Sequence, residues 1–156
     1  MNFQKFRVFL FGSYINNAGP DNVNRNLIEN CQYELLYTKT KGKIIKRLEW
    51  IFNLLRCDVV VFSGLKSNFW MAMAGIFNKK TIYLMHGCIS YETRINKLQV
   101  EEKILDYEKE FLKSVDLILP VSEQYKNWVL AQFPEFKNKT HYLNSGIVGG
   151  GGRPRL

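Results

Sequence analysis

Apolar residues follow two rhythms along this chain of 156 residues. One is a short, nearly unbroken run. It occurs as V-F-L-F ending at Gly12, as Y-E-L-L-Y, as D-V-V-V-F-S-G, as K-T-I-Y-L-M ending at His86-Gly87, and as D-L-I-L-P-V-S, with T-H-Y-L-N as the last. Such runs predict six strands, covered on both faces as in a parallel sheet. The other rhythm recurs every three to four residues and predicts helices. Asp21 is placed to cap one through Asn30, with Val23, Leu27, Ile28 and Cys31 on one face. From Lys41 to Arg56, Ile44, Leu48, Ile51, Phe52 and Leu55 share a face, with Trp50 and Ile45 off it. A third helix runs from about Ser67 to Phe77 and stops at Asn78, a residue that tolerates the left-handed conformation. A long helix from about Glu92 to Lys113 buries Val100, Ile104, Tyr107 and Phe111, and Ser122 caps a last one through about Gln132.

Strands alternating with helices, without a hairpin signal, predict an α/β fold. The expected architecture is a Rossmann-like, doubly wound parallel sheet with helices on both faces. It forms a single domain over residues 1–147. Residues 148–156 hold four consecutive glycines, Gly149 to Gly152, and then R-P-R-L, a composition that favours disorder over packing.

Composition narrows the class. Hydrophobic residues at 46% and charged residues at 23% describe a folded protein and exclude an intrinsically disordered one. No run is long enough to span a membrane, and no signal peptide opens the chain, so a cytoplasmic location is expected. Cys31, Cys57 and Cys88 form neither a disulfide framework nor a zinc clip. No metal site is expected, because His86 and Cys88 find no further ligand in the pattern.

In open parallel sheets, ligands lie beyond the carboxyl ends of the strands. That rule selects the loops Gly12–Asn22, Ser63–Asn68, His86–Ser90 and Val121–Glu123. The first holds Gly19 and Pro20 and opens a helix whose N-terminus suits a phosphate, although an ordinary strand-to-helix turn has the same composition. It is neither a dinucleotide fingerprint nor a P-loop. His86 ends a strand on the ligand side, and Gly87 after it leaves room for a substrate to approach the backbone. The imidazole could bond a sugar hydroxyl or take a proton, or simply satisfy a backbone carbonyl. The Glu-rich stretch Glu101, Glu102, Asp106, Glu108 and Glu110 reads as a salt-bridged surface.

The net charge of +8 is concentrated. Lys39, Lys41, Lys43, Lys46, Arg47 and Arg56 crowd one segment, with Glu49 the only acid among them. Such a helix either lies on anionic headgroups or is a solvated face whose stripe packs on the sheet. Nucleic acid is not expected, since no recognition motif appears.

Taken in order, F-L-F-G through A-G-P-D-N-V, D-V-V-V-F-S-G, T-I-Y-L-M-H-G, S-V-D-L-I-L-P-V-S-E and Y-L-N-S-G-I resemble the N-terminal domain of GT-B glycosyltransferases, in particular the retaining family 4. The resemblance covers about residues 6–147. It implies transfer of a sugar from a nucleotide-sugar donor to a saccharide or lipid-linked acceptor in making a surface polysaccharide such as a capsule, without a metal or other cofactor. It places Gly19, Pro20 and Asn22 near the donor diphosphate and His86 with Gly87 at the transferred sugar. Ser122 and Glu123 face the cleft. Lys43, Lys46 and Arg47 become a surface for peripheral contact with the inner face of the cell membrane. The family continues from the N-G-I-like turn into a donor-binding domain, whereas here V-G-G-G-G-R-P-R-L follows Ile147. The expectation is a chain that transfers little or no sugar alone. A non-catalytic Rossmann-like binding module and one subunit of a split enzyme are the alternatives.

Overall fold

The computed structural model describes residues 6–16, 19–40 and 42–143. The glycine-rich tail and the N-S-G-I turn lie outside them, as does Lys41. Five strands, β1 (Arg7–Phe11), β2 (Glu34–Tyr37), β3 (Val59–Ser63), β4 (Lys80–Met85) and β5 (Leu117–Pro120), form one sheet in the order β2-β1-β3-β4-β5, every pair parallel. Helices α1 (Gly19–Asn30), α2 (Lys43–Arg56), α3 (Asn68–Ile76), α4 (Ile89–Ile95), α5 (Glu102–Ser114) and α6 (Glu123–Gln132) lie between and after the strands, and a 3-10 turn spans Pro134–Lys139. This is the doubly wound, Rossmann-like α/β arrangement.

Two aspartates help to set the register. Asp58, just before β3, accepts a hydrogen bond from the backbone N–H of Arg7 at 2.8 Å. Asp116, just before β5, does the same for Thr81 at 2.8 Å and also accepts from its hydroxyl. Each carboxylate thus ties the start of one strand to its neighbour.

The two sheet faces are unequally covered. Phe9, Phe11, Val60, Phe62, Tyr83 and Ile118 point to one side and pack with Leu54 of α2, Ala74 of α3, Phe111 and Leu112 of α5 and Val129 of α6. The opposite side belongs to α1, as right-handed crossovers require when β1 and β3 lie side by side. There Leu10 and Leu84 are buried, while Val59, Val61, Ile82, Leu117 and Leu119 are only half-buried.

Several expectations are corrected. The sixth strand is absent among the described residues. Thr140 makes a single parallel bridge to Ile118, and His141 and Leu143 donate to Ile118 and Pro120, so the segment merely leans on β5. Helix α1 starts at Gly19, two residues before Asp21. Instead of capping, that aspartate accepts from Asn16 N–H at 2.7 Å and Ser13 Oγ at 3.1 Å. The predicted long helix breaks into α4 and α5, with Lys97 at φ 51° between them. By contrast, Asn78 does close α3, at φ 50°, and Ser122 does cap α6 by accepting from Gln124 N–H.

The largest correction concerns α2. Its stripe Ile44, Leu48, Phe52 and Leu55 is 49–77% exposed. The packed side is Trp50, Asn53 and Leu54, leading to Cys57 beyond the helix end. Positions 46, 50, 53, 54 and 57 repeat the spacing of 44, 48, 51, 52 and 55, shifted by two residues and so by about 200° around the helix. Trp50 decides between them, because its ring meets Phe11 at 4.6 Å and Trp70 at 5.1 Å.

This orientation sets two substitutions against each other. Leu54→Ala should lower stability by about 2–5 kcal/mol, as for other buried leucines. Leu48→Ala should stay within about 0.5 kcal/mol. Urea-unfolding midpoints of the two variants check the assignment, and the reverse order would contradict it.

Candidate functional site

The order β2-β1-β3 puts the switch point of the sheet between the carboxyl ends of β1 and β3, where ligands of such sheets lie. The chain builds a polar cluster there. Gly12 follows β1, and a Cβ on it would stand 2.5 Å from Ser63 Cβ and 2.7 Å from Asn24 Nδ2. Glycine is what lets the first loop close over the end of β3. Asn24, on the buried side of α1, donates to Ser63 Oγ at 2.8 Å and to the carbonyl of Ser13 at 2.6 Å. Ser63 Oγ in turn lies 2.8 Å from His86 Nε2, at the end of β4. The cluster therefore joins β1, α1, β3 and β4 through side chains.

Its protonation can be argued from the bonds. Ser63 already accepts from the Asn24 amide, so its own hydroxyl proton is free to go to Nε2, which leaves the ring proton on Nδ1. Burial, with Lys66 adding its charge, lowers the His86 pKa from 6.5 to about 4, against a weaker pull from Asp21. The imidazole is neutral at physiological pH.

Lys66 completes the group. Its ammonium donates to the carbonyl of Ser63 at 2.8 Å and stands 5.6 Å from the centre of the Phe11 ring. Burial first, then Lys46, lowers its pKa. Tyr107 fixes the same loop by donating its hydroxyl to the carbonyl of Lys66. A neutral imidazole beside a half-buried ammonium suits a ligand that carries both hydroxyl groups and negative charge.

The loop after His86 is held from a distance. Cys88 is buried, its thiol pushed up to about 11 by burial and then by Glu108, so it is an inert thiol. Glu108, only 2% exposed, accepts from the N–H groups of Ile89 at 2.6 Å and Ser90 at 2.9 Å. A carboxylate from α5 thus caps the N-terminus of α4. Sequence reasoning counted Glu108 among surface acids. The signal it missed is that 104, 108, 111, 112 and 115 form one stripe, in which Glu108 is the only charge.

The residues proposed from the sequence fare differently. His86 stands in the cluster. Gly19, Pro20 and Asn22 are exposed at the start of α1, with open space around Gly19. The Asp21 carboxylate already occupies that end, so the helix terminus carries its own anion. Beside Gly87, a Cβ would lie 3.0 Å from Glu92 Oε1, so Glu92 fills part of the room the glycine leaves. Ser122 caps α6 and Glu123 is exposed in its first turn, one strand away from His86. Lys43 and Arg47 are exposed on α2, whereas Lys46 turns inward with its ammonium 5.3 Å from the Trp50 ring centre. The loop Ser63–Asn68 is among those the sequence selects, but the roles of Ser63 and Lys66 within it, and Asn24 on α1, emerge only where the fold brings residues so far apart together.

A groove of about 650 Å³ adjoins the carboxyl ends of β1 and β2, lined by Tyr14, Arg25, Tyr37 and Lys39 among others. The two tyrosine rings meet edge to face at 5.3 Å, and Arg25 holds the loop by donating to the carbonyls of Tyr14 and Asn16. A second groove, about 490 Å³, pairs Ile104 and Tyr107 with Glu101, Asp106 and Glu110. Its acidic lining suits no anion, and it holds no member of the polar cluster. Among the described residues no three His, Cys, Asp or Glu side chains gather closely enough to hold a metal ion.

The fold and this cluster define a Rossmann-like α/β domain with a polar site at its switch point. Compared with known proteins, the chain matches no family model and no curated protein significantly.

Two measurements test the site. Between about pH 4 and 6.5 the unfolded chain holds a proton on His86 that the folded chain does not, so stability should rise with pH across that window. His86→Asn should flatten that part of the slope in urea unfolding at several pH values. The imidazole itself should titrate near pH 4 by NMR in the wild type, and a midpoint near 6.5 would refute its buried, neutral state. Separately, Glu108→Ala should cost about 2–3 kcal/mol, since two N–H groups lose a charged acceptor. Glu108→Gln should recover part of that in the same unfolding assay.

Proposed function

We propose that this domain is the acceptor-side half of a GT-B type glycosyltransferase, serving transfer of a sugar from a nucleotide-sugar to a saccharide or lipid-linked acceptor of a surface polysaccharide. The observation that carries the reading is His86, whose Nε2 lies 2.8 Å from Ser63 Oγ at the switch point of a parallel sheet, with the Lys66 ammonium bonded to the carbonyl of the same Ser63. The resemblance of the ordered strand-and-loop segments to family 4 adds to it.

In this reading His86 keeps Nδ1–H for a hydroxyl of the transferred sugar. Lys66 faces the negative charge that grows on the leaving diphosphate, and a fixed cation at that point stabilises the transition state more than the ground state. Lys66 is better placed for that charge than the start of α1, where Asp21 sits. The bond from the anomeric carbon to the diphosphate breaks as the acceptor oxygen bonds to that carbon, and the acceptor proton leaves with the diphosphate. The groove of Tyr14, Tyr37, Arg25 and Lys39 takes the acceptor, its aromatic faces against sugar C–H surfaces and its cations toward an acidic or phosphorylated group. A second reading is a saccharide-binding module without catalysis, or one chain of a split enzyme. In its favour, the described residues bring no arginine to the cluster.

NMR titration with nucleotide-sugars, the matching free nucleotides and lipid-phosphate saccharides, read both on the ligand and on the His86 imidazole, tests this. Saccharide-bearing ligands should bind and perturb the His86 imidazole signals. His86→Ala should weaken them by about tenfold, the loss of one useful hydrogen bond. If free nucleotides bind as well as nucleotide-sugars and the variant changes neither, the reading fails.

A further inference from the structure

The segment that follows His86 holds a carboxylate whose hydrogen bonding is one-sided. Glu92 Oε1 accepts from the Tyr125 hydroxyl at 2.9 Å and makes a long contact with the N–H of Cys88 at 3.4 Å. The same oxygen would stand 3.0 Å from a Cβ on Gly87, so it presses on that stretch of backbone. Oε2 takes no hydrogen bond among the described residues. It is not one of their buried unpaired atoms either, so it opens to solvent. Glu92 also makes no ion pair among them. Arg94, two residues on, stacks instead 5.2 Å from the ring centre of Trp128, which is held in turn by donating to Ser90 Oγ at 3.0 Å.

Helix capping does not account for this carboxylate. The N–H groups of Ile89 and Ser90, which open α4, already go to Glu108. Tyr125 is a lasting donor to Oε1, since burial and then this bond push its pKa up to about 12. One carboxylate oxygen is thus fixed, and the other keeps its acceptor capacity unused. His86 meets Gly87 from the side of α1, through Ser63 and Asn24, and Glu92 meets it from the side of α4 and α6. His86, Gly87 and Glu92 are each half-buried, so a ligand resting on the Gly87 backbone can reach both side chains. The imidazole offers Nδ1–H and the carboxylate offers Oε2. A donor beside an acceptor suits two hydroxyl groups of one ligand, because a hydroxyl can take either part. Charge then sorts the parts of that ligand. The Lys66 ammonium stands one strand away, on the carbonyl of Ser63, and attracts a negative group. At Gly87 the Glu92 carboxylate repels one. The group that fits over Gly87 is uncharged and carries several hydroxyls.

We propose that Glu92 is a specificity-determining residue. Its Oε2 accepts from a hydroxyl of the sugar seated over Gly87, and its charge excludes uronic acids in favour of neutral sugars. The proposal rests on the glycosyltransferase reading for the kind of ligand and narrows that ligand to a neutral sugar. Tyr125 is the positioning residue, because its hydroxyl holds Oε1 and thereby turns Oε2 outward.

The test is NMR titration of the full chain with UDP-glucose and UDP-glucuronate, with free UDP as the reference. The two sugars differ only in whether the exocyclic carbon is a hydroxymethyl group or a carboxylate. The wild type should bind the neutral sugar about tenfold or more tightly than the uronate. Glu92→Gln keeps an oxygen for Tyr125 and Cys88 but loses the charge, and should bring the two affinities within about threefold. Glu92→Asp keeps the charge and should keep the preference. A Glu92 that only supports the fold would shift both affinities together in each variant. Circular dichroism verifies that both variants are folded. Equal binding of the two sugars by the wild type, both tighter than UDP, would overturn the proposal and leave the reading of His86 standing. A preference that Glu92→Gln leaves intact would do the same. Binding of UDP as tight as that of both sugars, unchanged by His86→Ala, would overturn the two together.

Discussion

The close approach of Gly12 to Ser63 is the contact on which the polar site depends. Two neighbouring parallel strands end side by side, and the loop leaving one must clear the last residue of the other. A Cβ at Gly12 would overlap Ser63 Cβ and the Asn24 amide together. Neither can retreat cheaply, since one is anchored to a strand and the other is 1% exposed within α1. Because the loop closes, Asn24 reaches both Ser13 and Ser63, and Ser63 is held where its hydroxyl meets His86. The imidazole's position is therefore set by three elements at once, none of which contributes a residue near it in the chain.

The electrostatics follow from that placement. A histidine at the rim of the same sheet, free in water, would be partly charged near neutral pH. Here burial and the neighbouring ammonium both oppose a second proton, so the ring is neutral at the cost of some stability below pH 6.5. Lys66 stands near an aromatic wall, with a carbonyl as its hydrogen-bond partner and the Lys46 ammonium against Trp50 of the same aromatic group. Two ammonium groups around Phe11, Trp50 and Trp70 create a local excess of positive charge that no ion pair among the described residues neutralises. In the function proposed here, an anionic ligand at the switch point would lower that energy.

How much of this could be read in the sequence depends on whether the information is local. Strand runs such as D-V-V-V-F-S and K-T-I-Y-L-M are local, and so are the caps at Asn78 and Ser122, and these appear where the pattern puts them. The face of α2 is not local, since two stripes with identical spacing fit the helix and the residue that follows it. Only the aromatic partners Phe11 and Trp70, supplied by β1 and α3, select the one holding Trp50. The break between α4 and α5 has no glycine or proline to announce it. It becomes necessary once Glu108 bonds Ile89, because 19 residues of continuous helix would separate them by about 28 Å. T-H-Y-L-N has the composition of a strand, but among its described residues, past β5, it makes only one bridge.

The uneven layering of the sheet bears on what surrounds this domain. Runs that are nearly unbroken in apolar residues usually mean that both faces are covered, and β3, β5 and Ile82–Met85 of β4 have that composition. Yet among the described residues only α1 lies on the second face, and it reaches Ser63 and the end of β1, leaving Val59, Val61, Ile82, Leu117 and Leu119 half-buried. The helices α2 to α6 all crowd the first face because every crossover from β2 onward moves the same way along the sheet, and right-handedness then fixes the side. The same topology that gathers β1, β3 and β4 around His86 thus produces both the site and the thin face behind it. Alternating polar residues on these strands would have made that face independent of any cover, as in antiparallel sheets with one side in water. The apolar choice at those positions is instead the one expected of a sheet that works with a further layer against it.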